Sequence, residues 1–501
     1  MKKIPPLRTG LSRNDWLACG LSGLALALVF PPWNVTPLLG VALVPFLCRV
    51  QAGCAGRNAW RGFCMGLVFH AVLLYWLGYV TVIGTVLLSV VLAGYMALLA
   101  VVTGECRRFR AWVPLAALAW AGVEYFRSLG PFSFAWGYLG HGLYPWREMI
   151  QLAFWIGVPG LSFLVMGFNA ALAAAWEHLP WPRKPDSLVV RDWRRIRVDG
   201  TALLVFTGIL LGNWFHGESV MARYQNPPAG SLAIRVAVIQ GNYEQDRKET
   251  ASLEETLADY LNLSRQALAG APDLIIWPES TITYPVNFWP EGVEQIQQFV
   301  DQANIELLAG TVWGNPTAQN TLIYLNQAIL FSPGKAIGHH GREVDLHELP
   351  SYSKMHLVPF GEWVPGGEHW PFAMIETLIE EAGAGIFKPG DRQTLFVTRQ
   401  GARFAVAICF ESTLAWMWRQ AKNQGADFVI TITNDAWYKR SAGLEQHFSQ
   451  TVFRAVENRI PAVRAANTGI SGFIGPTGEI LAWLPPHQAG FLTRELRLPR
   501  P

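Results

Sequence analysis

The first 215 or so residues alternate long apolar runs with short polar ones, and this pattern constrains the fold more than any other feature of the chain. Segments near 15–31, 35–50, 62–82, 84–104, 111–127, 150–176 and 200–215 are candidates to span a bilayer, because a spanning helix needs about 20 apolar residues. The second and the last are short for a span. The first follows a basic start, Met1-Lys2-Lys3, and reads as a retained helix rather than a signal peptide, since further apolar runs follow it directly. Charged residues make up 15% of the chain, against about 25% in soluble domains, so part of the chain is expected in lipid. A net charge of +3 gives no footprint for nucleic acid.

Basic residues set an orientation. Taken in alternate gaps, one side carries Lys2, Lys3, Arg8, Arg13, Arg49, Arg57, Arg61, Arg107, Arg108, Arg110, Arg183, Lys184, Arg191, Arg194, Arg195 and Arg197, and the other only Arg127 and Arg147. The positive-inside rule then puts the N-terminus in the cytoplasm and everything after seven crossings outside. Glu124 lies within an apolar segment three residues before Arg127. That spacing allows the two to pair on one helix face.

Composition changes near Asn226-Pro227-Pro228-Ala229-Gly230. Beyond it, strand-like and helix-like runs alternate: strands at 234–240, 274–277, 305–312, 403–408 and 428–433, and helices at 252–269, 293–303, 413–423 and 444–458. Such alternation implies an α/β domain whose sheets are covered by helices. The expected organisation is a polytopic helical membrane domain over 1–215, a linker over 216–231, a catalytic domain over 232–486 and a tail over 487–501.

Three stretches of the second half carry reactive side chains. Ile275-Ile276-Trp277-Pro278-Glu279-Ser280 puts a carboxylate just past a buried strand, where α/β folds present functional groups. Lys354-Met355-His356-Leu357-Val358-Pro359-Phe360-Gly361-Glu362-Trp363-Val364-Pro365 sets Lys354 and Glu362 on either side of a stiff apolar loop. Val406-Ala407-Ile408-Cys409-Phe410-Glu411-Ser412 is a strand that ends on Cys409, the one cysteine of this half. A sharp strand-to-helix turn there would hold the sulfur near helix N-terminal N–H groups, which favour a thiolate. Glu411 can support the site or cap the following helix. His339, His340, His347 and His356 lack metal-ligand spacing such as H-E-x-x-H. No metal and no cofactor are expected.

In order and spacing, Glu279, Lys354 and Cys409 resemble the nitrilase superfamily. Gln240-Gly241-Asn242, Asn434-Asp435-Ala436-Trp437 and Asn467-Thr468-Gly469-Ile470-Ser471-Gly472 extend the match over about 232–486. The resemblance implies an αββα sandwich in which Glu279 is the base, Lys354 stabilises an oxyanion and Cys409 forms a thioester. Together with the apolar half, the chain is similar to the bacterial apolipoprotein N-acyltransferase family. That likeness implies transfer of a fatty acyl chain from a phospholipid to the α-amine of a diacylglyceryl-cysteine on an apolipoprotein. It also implies Glu362 as a further carboxylate that holds Lys354 or tunes Glu279, with Asn434 and Trp437 shaping the pocket. The implied setting is the bacterial cytoplasmic (inner) membrane, with the catalytic domain on its periplasmic face and the protein a monomer. Phe410 stands where the family often has tyrosine. Tyr243 to Glu249 follow the Gln-Gly-Asn stretch where a tryptophan is common, and no apolar segment follows Leu496-Arg497-Leu498-Pro499-Arg500-Pro501. The same three side chains would also serve a membrane-tethered amidase acting on small amides.

Overall fold

The computed structural model describes residues 10–130, 132–178, 193–225, 230–316, 322–340, 343–346, 348–359, 361–363 and 387–498. Among the residues singled out in the sequence, Met1, Lys2, Lys3, Arg8, Arg183, Lys184, Arg191, the linker positions 226–229, His347, Phe360, Val364, Pro365 and the end of the tail from 499 lie outside the described residues. The chain divides into two compact units, Met1–Ala222 and Arg223–Pro501.

The first unit is helical. Three of its helices are long and apolar enough to cross a membrane: Val82–Cys106, Ala153–His178 and Arg194–Tyr224. Helices Arg13–Leu28, Ala55–Leu73 and Trp112–Phe126 fall on or beside three further apolar segments. The segment at 35–50 is not one helix. It is a 3-10 turn, Thr36–Gly40, followed by a four-residue helix, Val44–Leu47, and each begins with a proline in its first turn. Proline lacks the N–H that a continuing helix would use, so it starts helices and interrupts them. The last apolar segment runs beyond residue 215 and stays helical to Tyr224. Within Ala153–His178, Gly157 leaves helical geometry (φ 63, ψ 177) two residues before Pro159, which kinks the span.

The expected pairing of Glu124 with Arg127 does not form. Glu124 Oε1 accepts from Trp120 Nε1 at 2.8 Å and from the Leu139 N–H at 2.9 Å. Arg127 instead donates to the Trp136 carbonyl at 2.9 Å. Both side chains therefore pin the buried segment 134–143 that follows their helix. That segment has backbone polar groups a helix cannot satisfy, and these outcompete the ion pair.

The second unit contains two principal sheets. The strands are β1 (Leu232–Gln240), β2 (Leu274–Ile276), β3 (Ile282–Pro285), β4 (Glu306–Pro316), β5 (Leu322–Phe331), β6 (Gly338–His340), β7 (Glu343–Asp345), β8 (Ser351–Ser353), β9 (Leu395–Val397), β10 (Arg403–Ile408), β11 (Phe428–Thr433), β12 (Ala462–Ala466), β13 (Ser471–Ile474), β14 (Ile480–Leu484) and β15 (Gly490–Leu498). One sheet has the order β15-β1-β2-β4-β5-β8, with β3 paired to β4; the other has the order β14-β13-β12-β11-β10-β9. The parallel centres, β1-β2-β4 and β10-β11-β12, are buried on both faces, as their continuous apolar runs require.

Helices Leu253–Ala267 and Pro290–Ala303 cover the first sheet. Ala237, Ile239, Ile275, Leu307, Ala309 and Ile329 point to them and pack with Leu257, Tyr260, Val293 and Ile296. The alternate residues Val236, Val238, Leu274, Ile276 and Leu308 are equally buried, so the opposite face of that sheet is covered too. Helices Ala415–Asn423 and Gly443–Asn458 accompany the second sheet.

Residues 490–498, expected as part of a tail, form a strand of the domain. β15 pairs with β1 along its whole length, from Leu232↔Leu498 to Gln240↔Gly490, and Leu496 and Leu498 are buried. This strand closes the edge that β1 would otherwise expose.

Gly310 on β4 sets how closely the Glu279 turn approaches the sheet. A Cβ there would collide with the Pro278 carbonyl and the Glu279 Cα, both backbone atoms. Gly310→Ala is therefore expected to destabilise the domain by about 1–3 kcal/mol, the usual scale of overpacking, and to lower any activity that depends on the Glu279 turn. Thermal melting of the detergent-solubilised protein, with activity measured in parallel, checks both.

Candidate active site

Each reactive side chain leaves the end of a strand. Glu279 sits past β2, in a turn that ends on Ser280 in the left-handed region (φ 47). Lys354 follows β8 directly, with its backbone N–H held by the Asn326 carbonyl at 2.8 Å. Cys409 follows β10 and is itself left-handed (φ 53). A side chain rarely adopts that conformation, which persists only where neighbours impose it. Strand β10 stops at Ile408, so the sharp turn falls on Cys409 itself.

Glu279, Lys354 and Glu362 form one buried cluster. Lys354 is 1% exposed. Its Nζ lies 2.8 Å from Glu362 Oε1 and 3.5 Å from Glu279 Oε1. Burial works against the ammonium, but the carboxylates of Glu362 and Glu279 outweigh it and raise its pKa well above the ordinary lysine value. Lys354 is a permanent cation here. Glu362 Oε2 accepts the Val358 N–H at 2.8 Å, so one carboxylate both holds the lysine and closes the loop that carries it.

Glu279 is fixed from three sides. Besides Lys354, its Oε1 accepts from Asn326 Nδ2 at 2.8 Å and its Oε2 accepts the Asn434 N–H at 2.7 Å. Asn326 Nδ2 also reaches Glu362 Oε1, at 3.3 Å. Carboxylates only accept, so the amide nitrogen is the end that faces them. Asn434 thus acts through its backbone, while its side-chain oxygen accepts from Asn467 Nδ2 at 2.9 Å. Asn467 in turn bonds both the N–H and the carbonyl of Tyr243. The Gln-Gly-Asn and Asn-Thr-Gly stretches meet there and brace Glu279 through Asn434.

Glu411 is a staple between two of the stretches. Its Oε2 accepts the Ile408 N–H at 2.8 Å. Its Oε1 accepts the Met355 and His356 N–H groups at 2.7 and 2.9 Å and the Tyr352 hydroxyl at 2.9 Å. The nucleophile turn and the lysine loop are therefore tied by one fully buried side chain. Burial pushes its pKa up to about 7, against the pull of those N–H donors. Phe410 stacks on His356 with ring centroids 6.0 Å apart. Trp437 is 39% exposed and forms no part of the buried cluster.

The expectation that helix N–H groups make Cys409 a thiolate is corrected. Burial first, then the Glu279 carboxylate, raises the thiol pKa well above 9, and Lys354 only partly offsets them. The turn after Cys409 is a short 3-10 helix, Cys409–Thr413, too short to supply a strong dipole. The resting group is a thiol beside a carboxylate, an arrangement that calls for a base in the same step as attack.

Sequence reasoning missed Asn326, Tyr352 and a buried group behind the nucleophile made of Asp435, His447 and Arg464. One signal was available for the first: Asn326-Gln327 interrupts the otherwise apolar core of β5.

A two-sheet α/β domain with these side chains at its strand ends defines a class, and the sequence comparisons agree. Residues 235–500 match the carbon-nitrogen hydrolase family model, and residues 22–171 match that of the apolipoprotein N-acyltransferase N-terminal domain. The protein is an N-acyltransferase within the carbon-nitrogen hydrolase superfamily. An apolipoprotein N-acyltransferase of Geobacter metallireducens is 36% identical, over 97% of this chain and 90% of its own. One from Haemophilus ducreyi is 31% identical, over 96% and 91%. Among solved structures, an amidase from Nesterenkonia sp. aligns with 55% of this chain and 93% of its own at 19% identity and TM-score 0.39. The chain belongs to the apolipoprotein N-acyltransferase family.

The raised thiol gives a direct test. Labelling of Cys409 by iodoacetamide, followed on its own peptide by mass spectrometry, is expected to keep accelerating with pH beyond 9. Because Lys354 lowers the thiol pKa, Lys354→Met should slow labelling further at any fixed pH. A rate that levels off below pH 8 would mark a thiolate and contradict the assignment.

Proposed function

We propose that this enzyme moves a fatty acyl chain from a phospholipid to the α-amine of a diacylglyceryl-cysteine at the N-terminus of an apolipoprotein, through a thioester on Cys409. The observation that carries the reading is the buried cluster in which Glu279, Lys354 and Glu362 surround one another beside a protonated thiol. Glu279 takes the Cys409 proton as sulfur attacks the ester carbonyl. The Lys354 ammonium and backbone N–H groups hold the oxyanion. The carbon–oxygen bond to glycerol breaks, Glu279 returns the proton to that oxygen, and lysophospholipid departs.

In the second half the lipoprotein amine attacks the thioester. An α-amine has a pKa of about 7.7–8.0, so a useful fraction is already neutral near pH 7. Glu279 takes the proton that nitrogen sheds, the carbon–sulfur bond breaks, and the thiol is restored. Glu362 and Asn326 act as positioning residues for Lys354 and Glu279, and Glu411 for the turn that carries Cys409. Asn434 supports the base through its N–H.

A thioester in open water would be lost to hydrolysis. A membrane-embedded chain brings lipid to the site and keeps water scarce, which favours acyl transfer over amidase chemistry. The basic residues gathered on one side of the apolar segments support a bacterial cytoplasmic membrane location with the catalytic domain on the periplasmic face. The protein is proposed to act as a monomer.

Purified enzyme in detergent, given phospholipid labelled in its acyl chain and a diacylglyceryl-cysteine peptide, is expected to place label on the peptide's amine. Cys409→Ala should place none. Label released only as free fatty acid by the wild type would make the protein a hydrolase and overturn the proposal.

A further inference from the structure

Behind the nucleophile turn lies a charged group that the two half-reactions do not use. His447, on the helix Gly443–Asn458, has its Nε2 3.3 Å from the Cys409 carbonyl oxygen and 3.0 Å from Ser412 Oγ. Its Nδ1 lies 2.9 Å from Asp435 Oδ1 and 3.0 Å from Arg464 Nη2. Arg464 also donates to Asp435 Oδ2 at 2.8 Å, and Thr433 donates to Asp435 Oδ1 at 2.9 Å. His447, Asp435 and Arg464 are wholly buried. Gly469 leaves the room Asp435 needs, since a Cβ there would collide with its carboxylate.

Such a group is costly to bury and, for stability alone, replaceable by apolar packing. Its position suggests a use. Asp435 follows Asn434, whose N–H fixes Glu279, and His447 reaches the carbonyl of the nucleophile itself. A trans peptide is planar, so the Phe410 N–H points opposite to the Cys409 carbonyl. Whatever holds that carbonyl therefore aims that N–H. Glu411 holds the Ile408 N–H, so the backbone is fixed one peptide before those of Cys409, and His447 meets the carbonyl that follows the left-handed residue.

We propose that His447, carrying its proton on Nε2 and held at Nδ1 by Arg464, which Asp435 anchors in turn, is a positioning residue that grips the Cys409 carbonyl and thereby aims the Phe410 N–H at the oxyanion of the acyl-transfer intermediates. The inference rests on the acyl-transfer reading above. Burial, and then the Arg464 guanidinium, lower the imidazole pKa below its usual 6.5, so the ring holds a single proton at neutral pH. On Nε2 that proton can meet the carbonyl, while Arg464 donates to the bare Nδ1. On Nδ1 it would go to Asp435 and leave the carbonyl without this donor.

Acylation develops an oxyanion, whereas alkylation of the same sulfur by iodoacetamide does not. Full-length His447→Leu is expected to form the acyl-enzyme from phospholipid about 100-fold more slowly, the scale of losing one oxyanion donor. Its Cys409 should still be alkylated at the wild-type rate. His447→Gln, whose amide can donate from near the Nε2 position, should recover much of the acylation rate. Wild-type acylation in the leucine variant overturns the proposal. So does alkylation that falls in step with acylation, because His447 would then support the sulfur rather than the oxyanion donor. Failure of glutamine to recover any rate overturns the Nε2 assignment. Absence of an acyl-enzyme in the wild type, measured alongside, would instead sink the acyl-transfer reading and this inference with it.

Discussion

An ammonium group wholly removed from water survives only among opposite charges, and Lys354 is such a group. Its two carboxylate neighbours come from separate parts of the chain: Glu279 after β2 and Glu362 from the loop beyond Lys354 itself. The buried ammonium depends on both of them, and it is one of the groups that hold the buried Glu279. Asn326 Nδ2 donates to both carboxylates and bridges them. Burial, and then the Glu279 carboxylate, raise the neighbouring thiol pKa, and the ammonium only partly offsets them. In the proposed reaction Cys409 is a protonated sulfur until a substrate carbonyl gives the displaced charge somewhere to go.

The rest of the domain holds this cluster in register. Glu411 accepts from three backbone N–H groups and one tyrosine, tying the Cys409 turn to the lysine loop. Asn467 and Asn434 link β1, β11 and β12 at the point where Glu279 is anchored. Each link crosses between elements far apart in sequence, so small shifts in either sheet would be felt at the reacting atoms.

Much of this could be read from the sequence, and the exceptions share a physical cause. Strands β1, β10 and β11, and helices such as Gly443–Asn458, follow from local hydrophobic patterning, which needs no knowledge of partners. Glu279, Lys354, Glu362 and Cys409 stood out because short motifs surround them. Asn326 and His447 did not, because what matters about them is the distant group they touch. Local reading also failed for Glu124 and Arg127, where spacing on one helix suggested a pair and the buried backbone of 134–143 took both side chains instead. In the membrane unit, apolar composition located the segments but not their breaks. Two prolines split the 35–50 segment, and the last apolar helix continues to Tyr224.

The proposed acyl transfer turns on a covalent bond to one sulfur. The most direct measurement is mass spectrometry of the Cys409 peptide after the enzyme has met phospholipid with no amine acceptor present. The account requires a fatty acyl mass on Cys409 that hydroxylamine removes and that later addition of a diacylglyceryl-cysteine peptide discharges onto the peptide's amine. An enzyme that acylates the peptide while Cys409 never carries an acyl group, at any time during turnover, would contradict it.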